Sequence, residues 1–513
     1  MPLLPPESSG AGIALSSDDL QAGQSAISPG EDGVSNLEKW AAFLCQVEIP
    51  VLRSSIDELA RLEQNEDNIT ARDISGVILR DPMLTLRVLR YLPEYRRNRP
   101  GTEITTVGHA VMMLGITPFF RQFRDMKIVE DMLAECPHAL EGFLGVVNRA
   151  RHAALQAREW AALRHDIESD EVIIAALLHD VAEMLLWCLA PECATQIAER
   201  MRQDKTLRSA IAQERVLGFK VVDLQLALLE KWRLPALLQS LMDDDHNNPP
   251  RVRIVALAVA LARHSANGWD DPALSDDYAA IRKFLALSER DVMARIHRVA
   301  LTAIRRLDRH GELRSAAWLP PMPAAWADAE CDGKEEDAAG RPVVVKRVVE
   351  LLTVRASQDP DFLEMLSLVL HGMHAGAGLD RMLFMAIDDA HGKATAKYVA
   401  GSREASRLQK LEIDLACPHV FSSLVADGTG IWYRAVARNE LPSAVPVDIS
   451  KVIGDNEFFA MAIPVDGNPI GLIYADGGCH RPVLEAGQYD EFQTFCLLLA
   501  KALKHEPRTG HFL

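Results

Sequence analysis

The chain has 513 residues, 48% of them hydrophobic, which is enough apolar material for two or three domains, each with its own core. A formal net charge of −17 repels a phosphate backbone, so nucleic acid is not an expected partner; the basic loop at residues 95–101, with Arg96, Arg97 and Arg99, reads as a solvated turn. Eight cysteines (Cys45, Cys136, Cys188, Cys193, Cys331, Cys417, Cys479, Cys496) contain no C-x-x-C pair, which argues against a zinc ribbon and a disulfide framework and for reduced thiols.

Residues 1–35 are rich in Ser, Gly, Pro and Asp and lack apolar periodicity, the composition of a disordered tail. The start carries no basic leader with an apolar core, and no later run suggests a membrane span, so a cytoplasmic protein without membrane contact is expected. From 36 to 312 apolar residues recur at three- and four-residue spacing, as in LEKWAAFL and VVDLQLALLEKW, and strand signals are missing; this region is predicted to be all-α. Within it, Asp81 before Pro82 reads as an N-cap followed by proline at the first helical position.

Residues 313–342 mix prolines with an acidic run and are predicted to be a linker. From 343 to 507 the pattern changes to helix, then β-like segments RMLFMAID and TAKYVAG. Two further strands follow, joined around Asp466-Gly467-Asn468-Pro469, and an amphipathic helix closes the chain. Along the last strand Ile470, Leu472 and Tyr474 are expected on one face, and Gly471 and Ile473 on the other. The fold class is therefore multidomain: an all-α domain, then an α+β domain on a central antiparallel sheet.

The residues that carry chemistry lie in ALLHDVAEMLLW, residues 176–187, where His179 and Asp180 adjoin in an otherwise apolar helical run. Burying both is costly unless they pair or hold a metal. His152, on a helix that would begin near Gly145 and run alongside, is the third candidate metal ligand. The plainer account is that His179 and Asp180 satisfy each other, or nearby carbonyls, as a polar lock between helices. A second pair, His165-Asp166, reads as a helix end with its cap. His371 and His374 lie three apart on a helix and are expected to be solvated.

A lone His followed by an HD pair resembles the opening of the HD phosphohydrolase pattern. The match is closer to the HDOD domain, a bacterial signalling module of the same superfamily. The residues that carry it are IPVL near Pro50; RDPMLTLRVLRYL; TTVGHAVMMLG; ALLHDVAEMLL, similar to G-L-L-H-D-I-G; LLEKWRLP, similar to L-x-x-W-x-L-P; and DDDHNN followed by VALAVALAR. Four positions depart from that pattern. Val259 stands where the last metal-binding Asp of HD enzymes is expected. Asp245-His246 replaces a His-His pair, Ala182-Glu183 follows the HD pair in place of Gly-Lys, and Pro93-Glu94 replaces an Asn-Ser landmark. A valine cannot ligate, and lost ligands weaken both metal affinity and the positioning of a metal-activated water. The resemblance therefore implies a non-catalytic module with a degenerate metal site at His152, His179 and Asp180 and no cofactor. The alternative is an HD phosphohydrolase that holds a divalent metal with those residues and His246.

Residues 345–505 resemble a GAF domain, a small-ligand sensor fold, through LDRMLFMAIDDAHGKATAKYVAG and FFAMAIPVDGNPIGLIYADGG. The resemblance implies either a small-molecule ligand, held between the sheet and residues 416–457, or pairing of two copies through VVVKRVVELL. The N-K-F-D-E arrangement of cyclic-nucleotide binders is not evident, and Cys417 is not in a chromophore-attachment context. The whole reads as a signal-transduction protein whose partners are other signalling proteins.

Overall fold

The computed structural model describes residues 33–95, 106–166, 169–204, 207–234, 236–241, 249–309, 315–321, 341–355, 361–388, 392–434, 445–454, 456–479 and 483–503. The expected tail up to residue 32, the basic loop at 96–100, Asp245 and His246, and residues 322–340 of the expected linker lie outside these. The chain forms two compact units, Met1–Val259 and Ala260–Leu513.

The first unit is helical. In chain order it holds α1 (Gly33–Gln46), α2 (Arg53–Glu63), α3 (Ala71–Ile78), α4 (Pro82–Tyr95), α5 (Val107–Leu114), α6 (Ile116–Gln122), α7 (Val129–Met132) and α8 (Pro137–Leu163). Then come α9 (Ser169–Leu178), α10 (Val181–Leu189), α11 (Pro191–Gln203), α12 (Ser209–Leu217), α13 (Val221–Lys231) and α14 (Ala236–Leu241). The division between units falls within α15 (Pro250–Ser265). α8 is the long central element. Its buried Phe143, Val147, Ala150, Ala154, Ala157 and Ala161 follow the helical period and pack on α9 and α10. The contact is tight at Gly142, where a Cβ would lie 2.6 Å from the Trp187 ring, so any larger residue would have to displace that ring.

Two features place the termini of these helices. Asp81 caps α4 as its sequence suggests: Oδ1 accepts from the Met83 and Leu84 amides at 2.9 and 3.2 Å. Its Oδ2 accepts from the Leu52 amide and the Ser55 hydroxyl, both at 2.9 Å, so a wholly buried carboxylate ties the IPVL segment to the RDPML segment. Burial pushes this carboxyl above its usual range, against the stabilising effect of those donors. Contrary to the expectation that no run suggests a membrane span, Ser169–Leu189 is long and apolar enough to cross a membrane by length and composition, and 78% of its most apolar stretch is buried within the fold.

The second unit begins earlier than the sequence suggests. It takes in α16 (Ala273–Leu285) and α17 (Glu289–Arg309) before a short strand, β1 (Ala317–Trp318). There follow α18 (Arg341–Arg355), α19 (Phe362–Ala375), β2 (Arg381–Asp388), β3 (Lys393–Gly401), β4 (Glu412–Asp414), α20 (Val420–Asp427) and β5 (Gly430–Tyr433). The chain ends with α21 (Val447–Ile453), β6 (Phe458–Val465), β7 (Asn468–Asp476) and α22 (Ala486–Leu503). The sheet order is β1-β3-β2-β7-β6-β5, with β4 also on β3; every pairing is antiparallel except β1 with β3. β2 is buried on both sides, Met382, Phe384 and Ala386 facing one core and Leu383, Met385 and Ile387 the other, which is why its sequence reads as an unbroken apolar run.

The β6–β7 hairpin turns at Asp466 and Gly467, both at positive φ (52° and 85°), as a two-residue turn requires. One expected alternation fails. Ile470 packs into the core of Ile473, not with Leu472 and Tyr474, because a register shift between Ile463 and Pro464 leaves it as an extra residue.

The segment at 315–321, read from sequence as linker, is a buried strap. The Ala316 amide donates to Gln409 O at 2.8 Å and the Leu319 amide to Val399 O at 2.9 Å. The carbonyls of Trp318, Leu319 and Pro320 accept from Trp269 Nε1, His371 Nε2 and Ser367 Oγ. α17 joins the same core through Leu301 and Ile304, and its Asp308 accepts from Lys397 Nζ at 3.1 Å and the Tyr398 hydroxyl at 2.7 Å. Two residues of strand have no periodicity to display, which is why the strap is invisible in sequence. His371 and His374, expected to be solvated, instead donate to the carbonyls of Leu319 and Leu379 at 2.9 and 2.7 Å.

Two predictions follow from the strap. A fragment starting at residue 343 loses β1, α16 and α17, and should be molten or aggregated by circular dichroism and gel filtration, whereas one starting at 260 should fold; a compact 343–507 fragment would contradict this. His371 is neutral in the fold, because burial holds its pKa down at about 4. The unfolded chain therefore binds an extra proton between about pH 6.5 and 4, and stability drains away as pH falls through that window. In denaturant titrations, His371→Gln should gain about 1–2 kcal/mol relative to the wild type between pH 7 and pH 5. A pH-independent difference would refute the assignment.

Candidate functional site at the His179-Asp180 turn

His179 and Asp180 do not lie inside one helix. The run breaks at these two residues, α9 ending at Leu178 and α10 starting at Val181, with Asp180 at φ −108°, ψ 25°. A break in a core strands backbone groups. Gln225 of α13 takes two of them: its Oε1 accepts from the Ala182 amide at 2.7 Å, and its Nε2 donates to Leu178 O at 2.9 Å. Gln225 is itself buried, so the LLEKWRLP helix acts as a splint across the turn.

At the turn, His179 Nδ1 lies 2.9 Å from Asp180 Oδ1, each side chain only 13% exposed. With a carboxylate as acceptor, Nδ1 carries the proton. The third candidate, His152 on α8, sits 3.0 Å from Gln156 Nε2, which donates to its Nε2. Burial holds His152 neutral, at a pKa of about 4. Val259 is buried and contributes hydrocarbon only. Among the described residues, no three His, Cys, Asp or Glu side chains form a group that would hold a metal ion, so His152, His179 and Asp180 are not brought together as one ligand set.

The positive charge at the turn comes from a residue the sequence reading missed. Arg149 of α8, one turn before His152, places Nη2 3.0 and 3.1 Å from the two oxygens of Glu183. Burial works against its charge, but the carboxylates of Glu183 and Asp180 outweigh that and hold it firmly protonated. The available signal was the replacement of Gly-Lys by Ala182-Glu183: a new acid in a buried turn needs a base nearby, and Arg149 is the arginine at helical spacing from His152. The second pair, His165-Asp166, is structural. His165 turns the chain at φ 56°, and Asp166 accepts from Arg251 Nε at 2.7 Å while Glu171 accepts from Arg251 Nη1 at 2.9 Å.

In the sheet unit, the expected ligand segment 416–457 lies partly outside the described residues, and aromatic side chains pack together on the sheet beside its described part. Phe458 stacks on Tyr433 and Phe421, with ring centroids 4.7 and 5.7 Å apart, and lies 5.3 Å from Tyr474. Beside them a buried pair forms: Arg381 Nε donates to Asp476 Oδ1 at 2.8 Å, and Nη2 to Asp476 Oδ2 at 2.5 Å and to Ile453 O at 2.9 Å. The described cysteines are free thiols.

Residues 49–248 match the family model of the HDOD domain, and this part of the helical unit is an HDOD domain. The match covers less than half of the chain. Similar solved structures include the MmoQ response regulator from Methylococcus capsulatus, at 21% identity over 48% of this chain and 97% of that one, TM-score 0.38. An HDOD domain protein with unknown function from Geobacter sulfurreducens is similar at 19% identity over 54% and 99%, TM-score 0.30. The GAF domain of a phosphoenolpyruvate-protein phosphotransferase from Coxiella burnetii is similar at 16% over 33% and 96%, TM-score 0.26. Among curated proteins, none matches.

The Gln225 splint generates a prediction. Gln225→Leu leaves the Ala182 amide and the Leu178 carbonyl without their partner and should cost about 2–6 kcal/mol, at roughly 1–3 kcal/mol per buried group. Gln225→Glu keeps the acceptor for the Ala182 amide but sets a buried carboxylate oxygen against Leu178 O, and should destabilise as well. Equal stability of Gln225→Leu and wild type in denaturant titrations would remove the splint from the account.

Proposed function

We propose that this chain is a non-catalytic signal-transduction protein, in which the HDOD domain binds partner proteins and the sheet unit, a GAF-like domain, regulates it. The observation that carries the reading is the state of the His179-Asp180 turn. His179 is bonded to Asp180, His152 is engaged by Gln156, and Glu183 is engaged by Arg149, so the groups a hydrolase would spend on metal and water are spent on one another. Hydrolysis needs a metal-activated water beside a base, and this constellation favours neither.

Exposed apolar side chains on the helices of the sheet unit support a protein-contacting role for that unit. Two copies would pair through α18 and α22, which keep Val343, Val354 and Leu497 exposed. Pairing would bias which HDOD surfaces remain open to partners, a shift between populations and not a chemical output.

The test is a panel of phosphodiester and nucleotide substrates, assayed with purified full-length protein and added Mn2+, Mg2+ or Zn2+. No turnover above that of an Asp180→Asn control is expected. Metal-stimulated turnover lost in Asp180→Asn would replace this reading with an HD-type phosphohydrolase.

A further inference from the structure

A divalent metal is what the HD resemblance implies at this turn, and among the described residues the side chains do not fit one. Asp180 and Glu183 stand three residues apart at the start of α10, and the mutual repulsion of two carboxylates so placed is relieved by a cation. Arg149 supplies one from α8. Its Nη2 engages both Glu183 oxygens, and Asp180 lies within its field. Its Nε, also buried, finds no acceptor among the described residues, and the Glu183 carboxylate is the hydrogen-bond partner the structure shows for the guanidinium. A divalent ion brought to Asp180 would face that fixed charge, with one imidazole already turned to Asp180, another to Gln156, and a valine at the remaining position.

We propose that Arg149 is a tethered cation, standing at the His179-Asp180 turn in place of a divalent metal, and that it positions the turn by neutralising Asp180 and Glu183. The inference deepens the non-catalytic reading and rests on it. Its consequence is that the integrity of this region depends on a side-chain charge at residue 149 and is indifferent to metal ions.

The test compares the melting temperature of full-length wild type, Arg149→Lys and Arg149→Met, each with EDTA, with millimolar Mn2+ and with millimolar Zn2+. Wild type should show no shift between conditions. Arg149→Met, which keeps the bulk of the stem and loses the charge, should melt about 3–6 °C lower, and Arg149→Lys should recover at least half of that loss. A purely packing role for Arg149 would leave the two variants alike, which would overturn the proposal. So would a wild type that binds one equivalent of Mn2+ or Zn2+ and melts higher for it. If Arg149→Met yields no folded protein, Glu183→Gln provides the measure: its melting temperature should fall, and an Arg149→Met/Glu183→Leu pair should restore soluble folded protein. Failure of both would count against the tethered cation. Turnover by metal-free wild type would sink the non-catalytic reading and leave Arg149 in place, whereas an inactive wild type loaded with metal would do the reverse.

Discussion

Breaking a helix in the middle of a hydrophobic core is the constraint on which the helical unit depends. At His179-Asp180 the chain turns between two apolar helices and strands backbone amides, carbonyls and an acidic face where water has little access. Each must be met by a group from elsewhere. Gln225 meets the backbone from 45 or so residues downstream in sequence, and Arg149 meets the acids from α8. Two helices, α8 and α13, are thereby locked to the turn between α9 and α10. The polar residues there are the means by which the apolar packing has a single register.

The same logic recurs away from the turn. Asp81, wholly buried, collects four donors from two segments and so fixes where α4 begins relative to the IPVL strand-like stretch. In the sheet unit the strap at 315–321 is held through its carbonyls by Trp269, His371 and Ser367, and Arg381 joins Asp476 to the end of α21. Buried ion pairs of this kind are weak sources of stability, because desolvation offsets most of the attraction, but removing one partner leaves a bare charge in the core. They specify geometry more than they stabilise it.

What could be seen in the sequence was what local pattern encodes. Helical periodicity marked the first unit, the Asp81-Pro82 cap was legible from residue type alone, and Asp466-Gly467 announced its hairpin through the need for positive φ. The mutual bond of His179 and Asp180 followed from the cost of burying either alone. What could not be seen depended on contacts distant in sequence. The break at 179–180 leaves no proline or glycine to mark it, since its splint is a glutamine on another helix. The strap is two residues of parallel strand inside a proline-rich stretch, and α16 and α17 continue the helical pattern of the first unit while belonging to the second, where Leu301 and Ile304 of α17 enter the core. Ile470 changed face because it is the bulged residue of its own strand, a register fixed only by pairing with β6 and so not visible in the alternation of β7 alone. Arg149 was hidden for a related reason: a motif scan looks for the ligands that are missing, not for the charge that replaces them.

The account stands on the claim that charges at the His179-Asp180 turn are balanced by protein groups alone. Elemental analysis of full-length protein, purified without chelator and then dialysed against metal-free buffer, tests it most directly. The account predicts transition metal far below one equivalent per chain, unchanged in His179→Ala. One equivalent of tightly held metal in wild type, lost in His179→Ala, would contradict it.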